Sequence, residues 1–153
     1  MTAIHVWNHA FLWDSMTPEK GGAPEGRRVQ LLEQGLGGID GFKEKCVKAT
    51  EGRFGSGYVW LLVRNGWPEI VDPPNAEILI TGGGNPILAG DVWKHADYLD
   101  YQNQRAKFVG AFVDHLIDWR KVAERLENGP ARAWCKVRLS QSFIRPQRKT
   151  LPR

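Results

Sequence analysis

The stretch that decides the fold is residues 91–103, DVWKHADYLDYQN. It begins at the end of a predicted β-strand and continues into a predicted helix. Asp91 and His95 are four residues apart, so their side chains converge if the chain turns from strand to helix between them. With His9 they would offer two imidazoles and one carboxylate, a set that suits iron or manganese. On spacing alone the pattern is weak, because a lone histidine among aromatic residues is more often a hydrogen-bonded core residue.

On both sides of this stretch the patterning alternates between helical and strand-like. The predicted helices occupy residues 3–16, 29–34, 41–53 and 94–127. The predicted strands occupy residues 58–63, 77–81 and 87–93. Asp40 is the expected N-cap of the third helix, residues 65–75 are expected to form a long connection, and the last helical stretch is expected to break near 104–106. The order of helices, antiparallel sheet and helices predicts an α+β fold with about three strands.

The composition is that of one globular domain. The chain has 153 residues, of which 42% are hydrophobic and 25% are charged, and seven of them are tryptophans. No apolar run approaches the ~20 residues of a membrane-spanning helix. Cys46 and Cys135 lie far apart and form no paired motif, which argues against a disulfide framework or a zinc knuckle. The first residues carry no basic targeting segment, and the chain begins inside a predicted helix, so we expect a lost, processed or shortened N-terminus.

The net charge of +4 is concentrated at the C-terminal end. Residues 131–153 contain no acidic residue and seven basic ones, namely Arg132, Lys136, Arg138, Arg145, Arg148, Lys149 and Arg153. Asn128-Gly129-Pro130 is expected to end the last helix before this tail. Basic residues interleaved with Trp134 and Phe143 suit an extended arm on an RNA backbone. The alternative is a solvated, disordered tail.

Four motifs occur in an order that identifies a family resemblance. They are VWNHAFLW at residues 6–13, FGSGYVW at 54–60, DVWKHADYLDYQN at 91–103 and LIDW at 116–119. In this order and at these separations they resemble the helix, strand, metal-loop and last-helix signatures of iron/manganese superoxide dismutases. The resemblance covers about residues 3–127. It implies three segments: a remnant helix of an N-terminal helical domain (1–16), a C-terminal-like α/β domain (17–127) and a basic extension (128–153).

The resemblance implies roles for individual residues. His9, Asp91 and His95 correspond to three of the family's metal ligands, with iron or manganese as the metal if the site is occupied. An aromatic shell around the metal corresponds to Trp7, Trp60 and Trp93. His5 stands where iron-type members have an outer-shell glutamine, and Tyr98 matches the tyrosine that reaches across the family's dimer interface.

Two departures from the family pattern influence the functional prediction. The N-terminal helical hairpin, which carries a further ligand histidine, has no counterpart in this sequence. Lys94 stands where the family has a glutamate that accepts a hydrogen bond across the dimer, and a lysine cannot accept one. We therefore expect weakened homodimer contacts and an incomplete active site.

These departures favour a structural role over an enzymatic one. The first hypothesis is a degenerate subunit of a large mitochondrial assembly, with the small ribosomal subunit ahead of a respiratory complex. Under this hypothesis the partners would be other protein subunits and ribosomal RNA, and the location would be mitochondrial. The metal site would either hold iron or manganese or be empty. The alternative is an active iron or manganese superoxide dismutase that another chain completes. A metal-binding module without turnover is a third hypothesis.

Overall fold

The fold is helical at both ends with a small sheet between them. The computed structural model describes residues 3–19, 23–51, 55–73 and 83–140, and only the backbone of residues 3, 4 and 130–140. The helices of these residues are α1 (Ala3–Trp13), α2 (Arg27–Leu36), α3 (Gly38–Glu51), α4 (Lys94–Tyr101), α5 (Arg105–His115) and α6 (Trp119–Ser140). The strands are β1 (Tyr58–Arg64), β2 (Trp67–Val71) and β3 (Asn85–Asp91). The predicted α+β class is confirmed.

The sheet is antiparallel, with the strand order β2-β1-β3. Its central strand β1 matches the prediction, and residues Tyr58 to Leu62 are all buried. Five consecutive buried residues mean that both faces of the strand are covered. Helices α1 and α6 pack against β3, and α2 packs against β2. The central strand therefore lies inside the molecule, and the carboxyl end of the neighbouring β3 leads to α4.

Strand β2 corrects the prediction that residues 65–75 form only a connection. Residues 60–64 of β1 pair with residues 71–67 of β2 through a two-residue turn at Asn65 and Gly66. Both turn residues have positive φ, 52° and 84°, which is the conformation that Asn-Gly turns favour in hairpins. Pro68 is tolerated because β2 is an edge strand of the sheet that the described residues form, where no second described strand needs its missing N–H. The strand predicted over 77–81 lies outside the described residues.

Helix boundaries also differ from the prediction, and α1 ends at Trp13 instead of residue 16. Helix α2 runs to Leu36 and is closed by Gly37, whose φ of 82° places it in the left-handed region and whose N–H donates to the Leu32 carbonyl. Helix α3 begins at Gly38, so Asp40 lies in the first helical turn instead of at the N-cap. A carboxylate in that turn still interacts favourably with the positive end of the helix dipole.

The predicted helical stretch 94–127 contains a second break, at residues 116–118, besides the expected one near 104–106. Leu116 accepts a hydrogen bond from the Thr17 N–H at 2.8 Å, and the Asp118 N–H donates to the Ser15 carbonyl at 2.9 Å. The segment after α1 therefore pairs with the α5–α6 junction, which uses backbone groups that a continuous helix would need. Within the range Trp119–Ser140 the backbone is non-helical at Gly129, where φ is 63°, so the helix is interrupted at the predicted stop and a second helical segment follows to Ser140.

Asp118 is the N-cap of α6, and its removal is expected to lower the free energy of unfolding. Its Oδ1 accepts a hydrogen bond from the Arg120 N–H at 2.9 Å, and the Arg120 guanidinium holds the pKa of this carboxyl below its usual range. We expect Asp118→Ala to cost about 1 kcal/mol in chemical denaturation. The wild-type contribution is complete above the usual aspartate pKa of about 3.9 and is lost as the pH falls through the lowered folded-state pKa.

Asp118→Asn is the matched control for this cap. The amide oxygen can still accept the backbone hydrogen bond, so most of the free energy of unfolding is retained. The part of that free energy that changes at acid pH because the Asp118 carboxylate is protonated is expected to disappear. An asparagine variant that is as unstable as the alanine variant at neutral pH would contradict the capping role.

Candidate metal centre

Three side chains from separate elements converge at the carboxyl end of β3. They are His9 of α1, Asp91 at the end of β3 and His95 in the first turn of α4, and one ligand-type atom of each lies within 4.8 Å of the others. His95 Nε2 is 2.9 Å from Asp91 Oδ2, and His9 Nε2 is 3.8 Å from the same oxygen. One carboxylate oxygen therefore faces both imidazoles.

The junction of β3 and α4 sets the position of Asp91 and His95. Asp91 Oδ1 accepts a hydrogen bond from the Trp93 N–H at 2.8 Å, which bends the chain out of the strand. The helix then places His95 over the aspartate, leaving Oδ2 directed at its ring. The Asp91 side chain is only 5% exposed, whereas that of His95 is 55% exposed. The carboxylate is thus fixed inside the fold, and one side of the cluster is open.

His9 is held in an orientation that directs one ring nitrogen at the cluster. Its Nδ1 is 2.9 Å from the His5 carbonyl oxygen. A carbonyl only accepts hydrogen bonds, so Nδ1 is the protonated nitrogen and Nε2 carries the lone pair that a metal requires. Metal-binding histidines typically donate their other ring N–H to a carbonyl or carboxylate in this way.

The Tyr58 hydroxyl also reaches this imidazole, a contact that the sequence analysis did not identify. The hydroxyl lies 3.0 Å from His9 Nδ1 and 3.2 Å from Nε2. Burial of the ring, and then the nearby Asp91 carboxylate, raise the pKa of Tyr58 well above its usual value. The phenol therefore stays protonated in the physiological pH range, and its oxygen can share the Nδ1–H of His9 with the His5 carbonyl, which leaves Nε2 free.

Tyr58→Phe tests this contact. The ring is completely buried and its packing is retained, so the loss of the hydroxyl is expected to lower the free energy of unfolding by about 1 kcal/mol. A double-mutant cycle with His9→Ala should give a coupling energy of similar size by denaturant titration. Tyr101→Phe, on a partly exposed ring of α4, is the matched control. Purely additive effects of the Tyr58 and His9 substitutions would contradict the hydrogen bond.

The aromatic residues proposed as a shell form a continuous series of ring contacts. Trp7 stacks on Trp60 with centroids 5.8 Å apart, and Trp60 contacts Tyr58 at the same distance. Tyr58 meets His9 edge to face at 5.7 Å. On the other side of the cluster, Trp93 lies 5.8 Å from the ring of His95. These rings exclude water from the inner side of the cluster.

The resemblance placed His5 and Tyr98 around the metal site without making them ligands, and the structure shows these two residues in different surroundings. The ring of His5 is partly buried and meets Trp93 edge to face with centroids 6.1 Å apart, while its carbonyl orients His9. Tyr98 is 53% exposed on α4, beside Leu99, which is 91% exposed. The basic residues proposed for RNA binding have no described side chains, because only the backbone of 130–140 is described and 141–153 are outside the described residues.

Asn8, next to His9, is a further polar residue that sequence reasoning missed. It is completely buried, and neither its Nδ2 nor its Oδ1 has a partner among the described residues. The buried Nε1 atoms of Trp60 and Trp93 are in the same situation. Unpartnered buried polar atoms are costly, so these three residues are positions where additional atoms would complete the hydrogen bonding.

The fold and the cluster together define an α+β metal-binding domain. Residues 24–125 match the family model described as iron/manganese superoxide dismutases, C-terminal domain. The chain belongs to the iron/manganese superoxide dismutase family. This matched range contains Asp91 and His95 but not His9, whose place in the cluster is a result of the geometry.

Several curated proteins are similar to most of this chain. An iron superoxide dismutase of Leptolyngbya boryana is 41% identical over 124 residues, which are 81% of this chain and 62% of the relative. A manganese/iron superoxide dismutase of Rickettsia bellii is 40% identical over 81% of this chain and 59% of the relative. A chloroplastic iron superoxide dismutase of Arabidopsis thaliana is 40% identical over 84% of this chain and 61% of the relative. The chain thus spans about three fifths of the length of these relatives.

The donor set fits iron or manganese. Imidazole nitrogens and a carboxylate are ligands that both metals accept, and the contact of His9 Nδ1 with the His5 carbonyl leaves Nε2 available. The partly open side at His95 leaves room for further ligands. No helix of the described residues is long and apolar enough to span a membrane.

Proposed function

We propose that this chain supplies three metal ligands of an iron- or manganese-dependent superoxide dismutase, with the remaining ligands supplied from outside the described residues. The observation that carries the proposal is the convergence of His9, Asp91 and His95 within 4.8 Å. The reaction converts two superoxide ions and two protons into one molecule of dioxygen and one of hydrogen peroxide. When bound, the metal would supply a reversible one-electron couple for these two half-reactions.

The residues of the chain would bind, orient and shield. Asp91 is the single anionic donor, and its burial keeps its carboxylate fixed against both imidazoles. The His5 carbonyl fixes the tautomer of His9, and the Tyr58 hydroxyl oxygen lies within hydrogen-bond distance of the same Nδ1. Trp7 and Trp60 exclude water behind the site, so approach is restricted to the side on which His95 is exposed.

This proposal replaces the structural-subunit hypothesis favoured by the sequence analysis. The similar proteins named above are superoxide dismutases, and their similarity supports the enzymatic alternative better than a degenerate mitochondrial subunit. Neither the ribosomal nor the respiratory assignment receives support from them, and the same is true of RNA as a partner. The mitochondrial location stays a prediction.

An apolar stripe on α1 supports the proposal that another segment or chain completes the site. Val6 is 56% exposed and Trp13 is 70% exposed, and the exposed Ala10 lies between them on the same helical face. Such a face is typical of a helix that packs against another helix. A helix that covered it would lie next to His9, close enough to contribute a ligand.

The experiment that tests the proposal is metal analysis and superoxide turnover on the chain isolated in its native assembly. We expect about one iron or manganese ion per chain, together with turnover in stopped-flow decay of superoxide. His9→Gln is expected to lose both, whereas His115→Gln, which alters an exposed histidine of α5, should lose neither. A native assembly that contains the chain but holds no metal and shows no turnover would overturn the proposal.

A further inference from the structure

Arg125 of α6 lies at the point where α1, β3 and α6 meet, outside the metal cluster. Its side chain is 11% exposed. One terminal nitrogen donates to Ser15 Oγ at 2.7 Å and to the Ile87 carbonyl at 3.1 Å. The other donates to the Phe11 carbonyl at 3.2 Å and to Asp14 Oδ2 at 3.0 Å. One guanidinium therefore bonds to the end of α1 and to β3 at the same time.

Two further contacts fix the arginine. The guanidinium lies 3.6 Å above the centroid of the Phe11 ring, which is a cation–π arrangement. The backbone carbonyl of Arg125 accepts a hydrogen bond from Asn85 Nδ2 at 3.0 Å, so the start of β3 is attached to the same turn of α6. The planar, multiply donating head group is what allows these contacts to be made together, and a lysine could not make them all.

The elements that Arg125 joins are those that carry the candidate ligands. Phe11 is two residues after His9 on α1, and Ile87 is four residues before Asp91 on β3. At about 3.3 Å per residue, Ile87 lies roughly 13 Å along the strand from Asp91. A shift of α1 along β3 would move His9 away from Asp91, and the arginine opposes that shift without touching either residue.

We propose that Arg125 is a positioning residue, which holds α1 in register with β3 so that His9 faces Asp91 and His95. The importance of this register for metal binding rests on the proposed function. The alignment of α1 with β3 by Arg125 does not depend on that function. Arg28 offers a matched comparison. It joins α2 to α6 by a 2.7 Å hydrogen bond to the Trp119 carbonyl, and its described hydrogen bonds do not involve α1 or β3.

The test compares the full chain with Arg125→Gln, Arg125→Lys and Arg28→Gln. The first readout needs no metal: nuclear Overhauser contacts between the rings of His9 and Tyr58, whose centroids are 5.7 Å apart. The second is titration with Co²⁺, which reports affinity and, by its visible absorption, ligand geometry. Denaturant unfolding of each variant separates these effects from a general loss of stability.

We expect Arg125→Gln to lose the His9–Tyr58 contacts, to bind Co²⁺ at least about tenfold more weakly and to change its absorption spectrum. Arg125→Lys, which keeps the charge near Asp14, should show the same changes to a smaller degree and keeps the test valid if the glutamine variant does not fold. Arg28→Gln should lose stability and keep the ring contacts, the affinity and the spectrum.

The proposal is overturned if the ring contacts survive in both Arg125 variants, or if Arg28→Gln weakens them equally. Failure of the proposed function gives a different result, in which the wild-type chain does not bind Co²⁺ while the ring contacts still depend on Arg125. The metal-free readout therefore decides the role of Arg125 in either case.

Discussion

Asp91→Asn is expected to abolish metal retention by the chain and, with it, superoxide turnover in the native assembly. Asp91 is the one anionic member of the cluster, and its Oδ2 faces both imidazoles at 2.9 and 3.8 Å. An amide oxygen is neutral and a poorer ligand for Fe or Mn. We expect the affinity to fall by more than about a hundredfold, beyond the roughly 10–100-fold typical of losing an outer-shell partner.

The measurement is metal content after desalting, together with a competition titration against a chelator of known affinity. Asparagine keeps the oxygen that accepts the Trp93 N–H, so the turn into α4 should be retained and circular dichroism should not change. Asp100→Asn, at an exposed position of α4, is the matched control and should retain metal fully. Metal retention by the Asp91 variant would remove this residue from the ligand set.

Trp60→Ala is expected to cause the largest loss of stability among single substitutions of the sheet. Trp60 is 1% exposed at the centre of β1, and its ring contacts those of Trp7, Phe11 and Tyr58. Replacement by alanine removes these contacts and leaves a cavity, which for a buried aromatic side chain costs about 3–5 kcal/mol. A domain with the usual stability of about 5–15 kcal/mol would lose a large part of it.

Trp67→Ala is the matched control because Trp67 lies on the edge strand β2 and is 62% exposed. We expect this substitution to change the unfolding free energy by less than about 0.5 kcal/mol. Urea denaturation followed by circular dichroism measures both variants under the same conditions. Equal effects of the two substitutions would mean that the face of β1 carrying Trp60 is not the core of the domain.

The parts of the fold that were predictable from sequence are those in which local pattern and tertiary packing agree. The run at residues 58–63 is apolar, β-branched and aromatic, and the same residues form the buried central strand. The junction at residues 91–95 was predicted because a strand end followed by a helix fixes the relative placement of two side chains four residues apart. The resemblance then added His9, whose approach to them depends on the packing of α1.

The parts that were missed depend on partners distant in sequence. Pro68 argued against a strand, and only the edge position of β2 makes the proline acceptable. The break at residues 116–118 exists because the segment after α1 competes for its backbone groups. The contact between Tyr58 and His9 joins two elements whose relative placement no periodicity encodes.

The similar proteins give no support to the preference for a structural role, which rested on the hairpin without a counterpart and on Lys94. Lys94 is exposed at the start of α4 and supplies no donor atom to the cluster. A change at this position therefore does not by itself remove metal chemistry.

The three candidate ligands come from positions far apart in the chain, with His9 near its start and Asp91 and His95 in its second half. A metal ion bound to all three would therefore close a very long loop, and part of its binding energy would be stored as folding energy. Binding of the metal ion would hold α1 against β3 and α4, and its release would loosen α1. In the metal-free chain, α1 should be the element that exchanges its amide hydrogens first, and metal addition should slow that exchange there more than anywhere else.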